Sequence, residues 1–301
     1  MKKSTPMPHW IMRRKNNNSP TFVLDGPWNP ESLLRGEAVV IKVDNLDAID
    51  YISRIVSGPT KIEYFIYEDY DSSLETLDIR PNWRGCNIIF RIGRLGKFSN
   101  VAHKLALIKA LNIQIQFDPS SEVSCRDVQI VSSLGINTGI VFNGNMPLND
   151  SLKDLVAYNF YSPMRHGAIE PFATMEKLFC GENYVSPEMA FFEDESKYIH
   201  INESFQMATS SKKLKKGEFI GKGQEGLYNI YHVESTENPS WQRFFIESHP
   251  CSFCPAFRVC KGFFSDNKSP KECQPLMMDI LEGIEHSKKI KNNEKNGNHN
   301  I

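Results

Sequence analysis

The chain has 301 residues, with 35 Lys and Arg against 36 Asp and Glu and a formal charge of −1. That length admits one large domain or one domain with a smaller appendage, and the balanced charge gives no global reason for nucleic acid or a membrane surface as partner. The first twenty residues hold no apolar run suited to a signal-peptide core, and no segment approaches the roughly 18 consecutive apolar residues of a membrane span. The expectation is a cytoplasmic protein, in a compartment where clustered cysteines read as metal ligands before disulfides.

Residues 1–20 are polar, with three asparagines at 16–18, and read as a flexible N-terminal arm. VVIKVD (39–44) reads as a strand, and LDAIDYISRIVSG as a helix with Leu46, Ile49, Ile52, Ile55 and Val56 on one face before Gly58 and Pro59. KIEYFIYE (61–68) and NIIFRIGR (87–94) are further strands, separated by turn chemistry. KFSNVAHKLALIKAL is helical, apolar at Val101, Leu105, Ile108 and Leu111, and leads into the strand NIQIQFDP. SSEVSCRDVQIVSSLG supplies a serine cap, a helix and Gly135 as its stop, and NTGIVFNG follows as a strand.

Strands alternating with helices of this length imply βα units and a mostly parallel sheet, as an open sheet or as part of a barrel. Beyond Asn149 the rhythm changes. DSLKDLVAYNFY and MEKLFCG read as helices, SKYIHINESFQMA and GLYNIYHV as strands around a lysine-rich turn KKLKKGE. From Ser287 onward KKIKNNEKNGNHNI has little to bury and reads as a disordered, solvated tail.

Four of the seven cysteines, Cys251, Cys254, Cys260 and Cys273, stand at gaps of two, five and twelve residues. Thiolate is a strong ligand for iron-sulfur clusters and for zinc. A zinc ribbon supplies two CxxC knuckles, whereas here there is one, so the spacing favours a 4Fe-4S cluster, with zinc as the alternative. Phe253, Phe257, Val259, Phe263 and Phe264 lie among the ligands and are expected to exclude water, with Arg258 and Lys261 offsetting the charge of a thiolate-ligated centre. Cys86, Cys125 and Cys180 are isolated and read as small apolar residues.

The pattern CxxCxxxxxC with a further cysteine downstream, preceded by Trp241 and Pro250, resembles the auxiliary-cluster region called SPASM in radical S-adenosylmethionine peptide-maturation enzymes. The stretch GKGQEGLYNIYHV is similar to the part of that region lying ahead of the tryptophan, and the resemblance covers roughly 197–285. It implies an α/β fold: a partial radical-SAM-like βα barrel (21–190), a small cysteine-rich SPASM-like domain (191–286) and a tail (287–301). Members of that family bind a catalytic cluster through CxxxCxxC, which occurs nowhere in this sequence. The resemblance therefore implies a degenerate member with no catalytic residues of its own. Its implied role is an iron-sulfur-binding partner of an active radical-SAM maturase or of the precursor peptide. An electron-transfer or catalytic iron-sulfur protein and a zinc-stabilised binding protein are the alternatives.

Elsewhere, His103, His166, His200 and His249 sit in no recognised motif, with His249 placed to support the cysteines. The glycines of GEFIGKGQEG open no helix after a strand and read as a turn. Asp118 falls at a strand's carboxyl end, where α/β folds bind ligands, with Ser120 and Ser121 capping the next helix. Glu63, Glu68, Asp69, Arg91 and Arg94 lie near strand ends and read as exposed ion pairs.

Overall fold

The computed structural model describes residues 21–26, 38–55, 61–119, 122–142, 146–179, 187–195, 197–223, 242–265 and 268–297. Among them are ten strands and nine α-helices. The chain divides into two compact units, one drawn from Met1–Ile66 and Glu193–Asn238, the other from Tyr67–Phe192 and Pro239–Ile301.

In the first unit, β1 (Thr21–Asp25) lies between β2 (Ala38–Val43) and β8 (Tyr198–Asn202), parallel to both. β1 is a continuous apolar run, TFVL, with Phe22, Val23 and Leu24 almost wholly buried, as expected for a parallel strand covered on both faces. β9 (Gln206–Ala208) and β10 (Gly221–Lys222) extend the sheet antiparallel beyond β8. The helix α1 (Asp47–Ile55) opens after Asn45, whose side chain accepts the Ala48 N–H at 2.9 Å, and carries Asp47 and Asp50 in its first turn and Arg54 in its last, matching its dipole.

The lysine-rich segment expected as a turn is instead the helix α6 (Ser211–Lys216). Ser210 caps it by accepting the Lys213 N–H, Gly217 at φ +78 ends it, and the straight-chain lysines between them are good helix formers. β3 (Lys61–Ser73) carries the chain from one unit to the next and is longer than the expected strand.

The second unit has β4 (Ile88–Arg94), β5 (Gln114–Phe117), β6 (Thr138–Ile140) and β7 (Ile169–Glu170), parallel and paired in chain order. Between them run α2 (Phe98–Leu111), α3 (Glu122–Ser133) and α4 (Asp150–Tyr161), the crossovers that parallel neighbours require. The expected stripe of α2 is buried at Val101, Leu105, Ile108 and Leu111, and Asn112 ends that helix in the left-handed conformation. Asn149 caps α4 by accepting the Leu152 N–H at 3.1 Å.

α5 (Phe172–Phe179) precedes a 3-10 turn at Pro187–Phe191, and the short helices α7 (Arg243–Ile246) and α8 (Phe257–Cys260) precede the long α9 (Pro270–Gly297). α9 corrects the expectation of a disordered tail from Ser287. Leu276, Met277, Ile280, Leu281 and Ile284 form a buried helical stripe, and Gly283 allows contact with α4, since a Cβ there would lie 2.4 Å from the Phe160 ring. Its basic end is used: Lys291 pairs with Glu176 of α5 at 2.6 Å, and the Lys288 ammonium lies over the Phe179 ring.

The α/β class and the mostly parallel pairing are as the strand and helix rhythm implies. The division into domains is not. The cysteine segment belongs to the same compact unit as β4–β7, and residues 197–223, expected beside it in a separate C-terminal domain, contribute β8–β10 to the other unit. A separate cysteine-rich domain is therefore absent among the described residues. Residues 1–20, Gly58 and Pro59, Ser120 and Ser121, Cys180, the strand expected at GLYNIYHV, and Trp241 lie outside the described residues. No helix among the described residues is long and apolar enough to cross a membrane.

Candidate metal centre

The cysteine segment is organised by its turns. Ser248 adopts a left-handed conformation, and His249 then caps a 3-10 turn at Pro250–Phe253 by accepting the Cys251 N–H on Nδ1 at 3.1 Å. The turn closes with Cys254 N–H on the Cys251 carbonyl at 3.0 Å, so both thiols of the CxxC leave one tight loop. α8 follows, and Cys260 is its last residue. Lys261 at φ 52 and Gly262 at φ 81 reverse the chain directly after it.

Gly262 is required on two grounds. Its φ lies where side chains are disfavoured, and a Cβ there would stand 2.3 Å from the Phe244 ring. Ser269, Pro270 and Glu272 start α9 as a capping box, the Glu272 carboxylate accepting both the Ser269 N–H at 2.8 Å and its hydroxyl at 2.7 Å. That helix start holds Cys273 in its first turn, where the thiol faces the Ser269 carbonyl at 3.5 Å.

All four expected ligands line one small cavity, together with Ala256, Phe257, Gly262, Pro270, Gln274 and Met277. Cys251, Cys260 and Cys273 are buried, and Cys254 is half-buried. Burial, with the nearby Cys273 sulfur adding to it, pushes the Cys260 thiol up to about 12, although the backbone N–H groups of Phe264, Gly262 and Phe263 hydrogen-bond its sulfur and act in the opposite direction. Burial also raises Cys251, and the neighbouring Cys254 sulfur adds to the rise. It raises Cys273 too, with Cys251 and Cys254 beside it.

Four thiols facing one cavity would repel one another if ionised, so this donor set could be held as thiolates only together with a cation. Among the described residues no three His, Cys, Asp or Glu side chains are grouped closely enough to enclose one ion.

The surroundings only partly match the sequence reading. Phe257, Val259 and Phe264 are buried, and Phe244, Cys251 and Phe257 pack together. Phe263 and Phe264 reach the ring of Phe142, beyond the carboxyl end of β6, at 6.4 and 6.3 Å between centroids. Phe253, expected to shield the sulfurs, points outward at 80% exposure, and Phe245 and Ile246 are also exposed.

Nor do both expected cations serve the centre. Arg258 pairs with Glu285 and stacks on Phe179, whereas Lys261 lies 5.4 Å from the centre of the Phe257 ring. Cys125 is buried on α3 and Cys86 follows the 3-10 turn at Pro81–Trp83, so neither joins the four. His249 acts through its capping bond to Cys251, and His103 is exposed on α2. His166 sits between the carbonyls of Gly167 and Asn159.

The strand-end residues sort differently from the exposed pairs expected of them. Arg91 is only 4% exposed, with Nε donating to Gln116 Oε1 at 3.0 Å, a terminal nitrogen donating to the Phe191 carbonyl at 3.2 Å, and Glu68 at 3.5 Å. Gln116 is the in-register neighbour of Arg91 on β5, and the row continues through Gly139 to Glu170. Asp118 follows two residues after Gln116 and bonds β4 through its N–H to the Ile92 carbonyl. Glu63 pairs with Lys61, and Asp69 accepts from the Tyr67 hydroxyl.

A second polar group, in the first unit, was not legible. His200 is fully buried, with Nδ1 3.5 Å from Asp25 and Nε2 3.6 Å from Glu193. Lys42 bonds Asp25 at 2.8 Å and stands 3.9 Å from Glu193, which also accepts the Ser211 N–H at 2.8 Å and hydroxyl at 2.6 Å. The signal available in sequence was an Asp at the end of one apolar strand and a His inside another, too common a pattern to single out.

No protein-family model, curated protein or solved structure matches this chain. The functional reading therefore stands on the chain's own residues.

Proposed function

We propose that this chain is an iron-sulfur protein that acts as the non-catalytic partner of a peptide-modifying radical-SAM enzyme, binding one 4Fe-4S cluster through Cys251, Cys254, Cys260 and Cys273. The observation that carries the metal assignment is the convergence of these four thiols on one largely apolar cavity. A zinc ion with sulfurs at about 2.3 Å draws them to about 3.8 Å from one another in a tetrahedron, whereas a cluster several atoms across accepts a wider ring. Hydrogen bonds from Phe264, Gly262 and Phe263 to the Cys260 sulfur suit a permanently ionised ligand.

The partner role rests on the SPASM resemblance together with the lack of any CxxxCxxC in the sequence. The chain-order pairing of β4 to β7, with a helix at each early crossover, is compatible with a partial barrel of that family. When bound, the cluster supplies electron storage or rigid cross-linking. The chain's own residues hold it, exclude water through Phe257 and Phe264, and join it to the sheet through Phe142.

Anaerobic reconstitution with iron and sulfide tests the metal. The expected result is about four irons and four sulfides per chain, with visible absorbance lost on oxidation. One tightly held zinc without sulfide overturns the cluster. For the role, the reconstituted chain alone is expected to leave S-adenosylmethionine intact; cleavage by it would overturn the non-catalytic assignment.

A further inference from the structure

The four cysteines are not equivalent, and their differences arise from the backbone. Cys260 is buried at the end of α8, and the Phe263 N–H returns to its carbonyl at 3.0 Å. Lys261 and Gly262, both at positive φ, make the turn that closes over it, and Phe244 packs beneath Gly262. Cys273 is buried and fixed by the capping box of α9, and Cys251 is buried between Phe244 and Phe257 with its N–H bound to His249. Cys254 is the half-buried member, and its neighbour Phe253 turns its ring to solvent and leaves that side uncovered.

We infer that Cys254 marks an exchangeable corner of the centre, where an exogenous thiolate can take the metal, while Cys260 is the anchor on which assembly depends. This rests on the metal assignment above. The physical basis is direct. An exogenous ligand can replace a protein sulfur where solvent reaches it, and it restores the full bonding only where the protein supplies no further bonds to that sulfur. At Cys260 a diffusing thiol would have to enter a buried position enclosed by the Lys261–Gly262 turn. At Cys254 it enters from solvent. The ligand class is a small thiol or thiolate, because it reproduces the donor that leaves; the exchange is a ligand substitution, with Cys254 leaving as a thiol by taking the proton that the incoming thiol gives up.

The test uses the full chain reconstituted anaerobically as wild type, Cys254→Ala, Cys260→Ala and Cys273→Ala, with and without 2-mercaptoethanol. Iron and sulfide content and the electron paramagnetic resonance of the reduced centre are the readouts. Cys254→Ala is expected to keep at least half the wild-type iron, to regain the rest in millimolar thiol, and to change its resonance when the thiol is replaced by a bulkier one. Cys260→Ala is expected to fall below a tenth of wild type and to stay there in thiol.

Circular dichroism of each metal-free variant shows whether it folds. If Cys260→Ala does not, Cys260→Ser supplies the comparison. Equal loss in Cys254→Ala and Cys260→Ala, or rescue of Cys260→Ala by thiol, overturns the inference while leaving the cluster assignment intact. Absence of iron from the wild type overturns the cluster assignment itself.

Discussion

The cysteine turn and the Asp25–Lys42–Glu193–His200 network are both buried polar groups, yet they solve opposite electrostatic problems. In the network two carboxylates face one ammonium and one buried imidazole, so each carboxylate has a polar partner within the protein. At the cysteines burial pushes three of the thiols up, and the adjacent Lys261 lies over the Phe257 ring. A closed network stabilises the fold that contains it. On the reading proposed above, the thiol set would instead tie the stability of its turn to the ion it binds.

The largest expected effect follows from that dependence. Removing the metal from the reconstituted protein with a chelator is expected to lower its unfolding free energy by about 4 kcal/mol where the metal had been present at about a thousand times its dissociation constant. Urea unfolding of loaded and stripped protein measures it. A midpoint unchanged by stripping would mean that the cysteine turn stands on its packing alone, and the contrast with the network would disappear.

The network is expected to give the next effect. Lys42→Met removes the cation that joins Asp25 and Glu193 while keeping an apolar stem, and strands two carboxylates beside His200. Breaking a buried pair costs about 3–5 kcal/mol, and the partial exposure of these carboxylates places the expected loss near about 3 kcal/mol. Adding Asp25→Asn to Lys42→Met is expected to recover part of it. A loss under about 1 kcal/mol for the single change would show that the charges are solvated and not mutually dependent.

Gly262→Ala probes the cysteine turn without touching a sulfur. The added methyl meets the Phe244 ring and the backbone is held at φ +81, so a cost of about 2 kcal/mol is expected. The same change should displace the N–H donors from Cys260 and reduce retained iron. Stability lost with full iron retention would separate the turn's packing from its role at the sulfur.

These two regions also differ in how far the sequence discloses them. The cysteines are close in the chain and their spacing is itself the signal, so the four thiols that line one cavity stand out in the sequence. What was not legible is the work of the backbone: three N–H groups on Cys260 depend on Lys261 and Gly262 turning left-handed over Phe244, a contact that no local pattern records. Phe253 was expected inward because aromatic residues are usually buried, but the 3-10 turn that presents Cys251 and Cys254 sends it out.

The helical stripe of α2 and the runs of β4 and β5 follow local periodicity, and they appear where that periodicity places them. β1 is five residues long and finds its partner in β8, some 175 positions away; only that distant pairing makes Asp25 and His200 neighbours. The end of α9 was read as solvated from its charge. Residues 288–293 are exposed, but the buried stripe preceding them and the Lys291–Glu176 pair carry the helix onward.

The smallest expected effect concerns acid, and it sharpens the contrast because Asp25 shifts in the direction opposite to the thiols. Burial alone would raise the Asp25 carboxyl, but the His200 imidazole and the Lys42 ammonium beside it outweigh burial and hold it below its ordinary value. A carboxyl depressed on folding contributes stability that is present above its unfolded value and is lost as pH falls through its folded value. The loss from Asp25 should therefore begin near pH 4 and deepen below it. Comparing wild type with Asp25→Asn by urea unfolding isolates this share: the gap between them is expected to be widest near pH 7 and to narrow toward pH 3, as the wild-type carboxyl becomes neutral like its replacement. A gap that stays constant over that range would mean that Asp25 serves through its shape and hydrogen bonding alone.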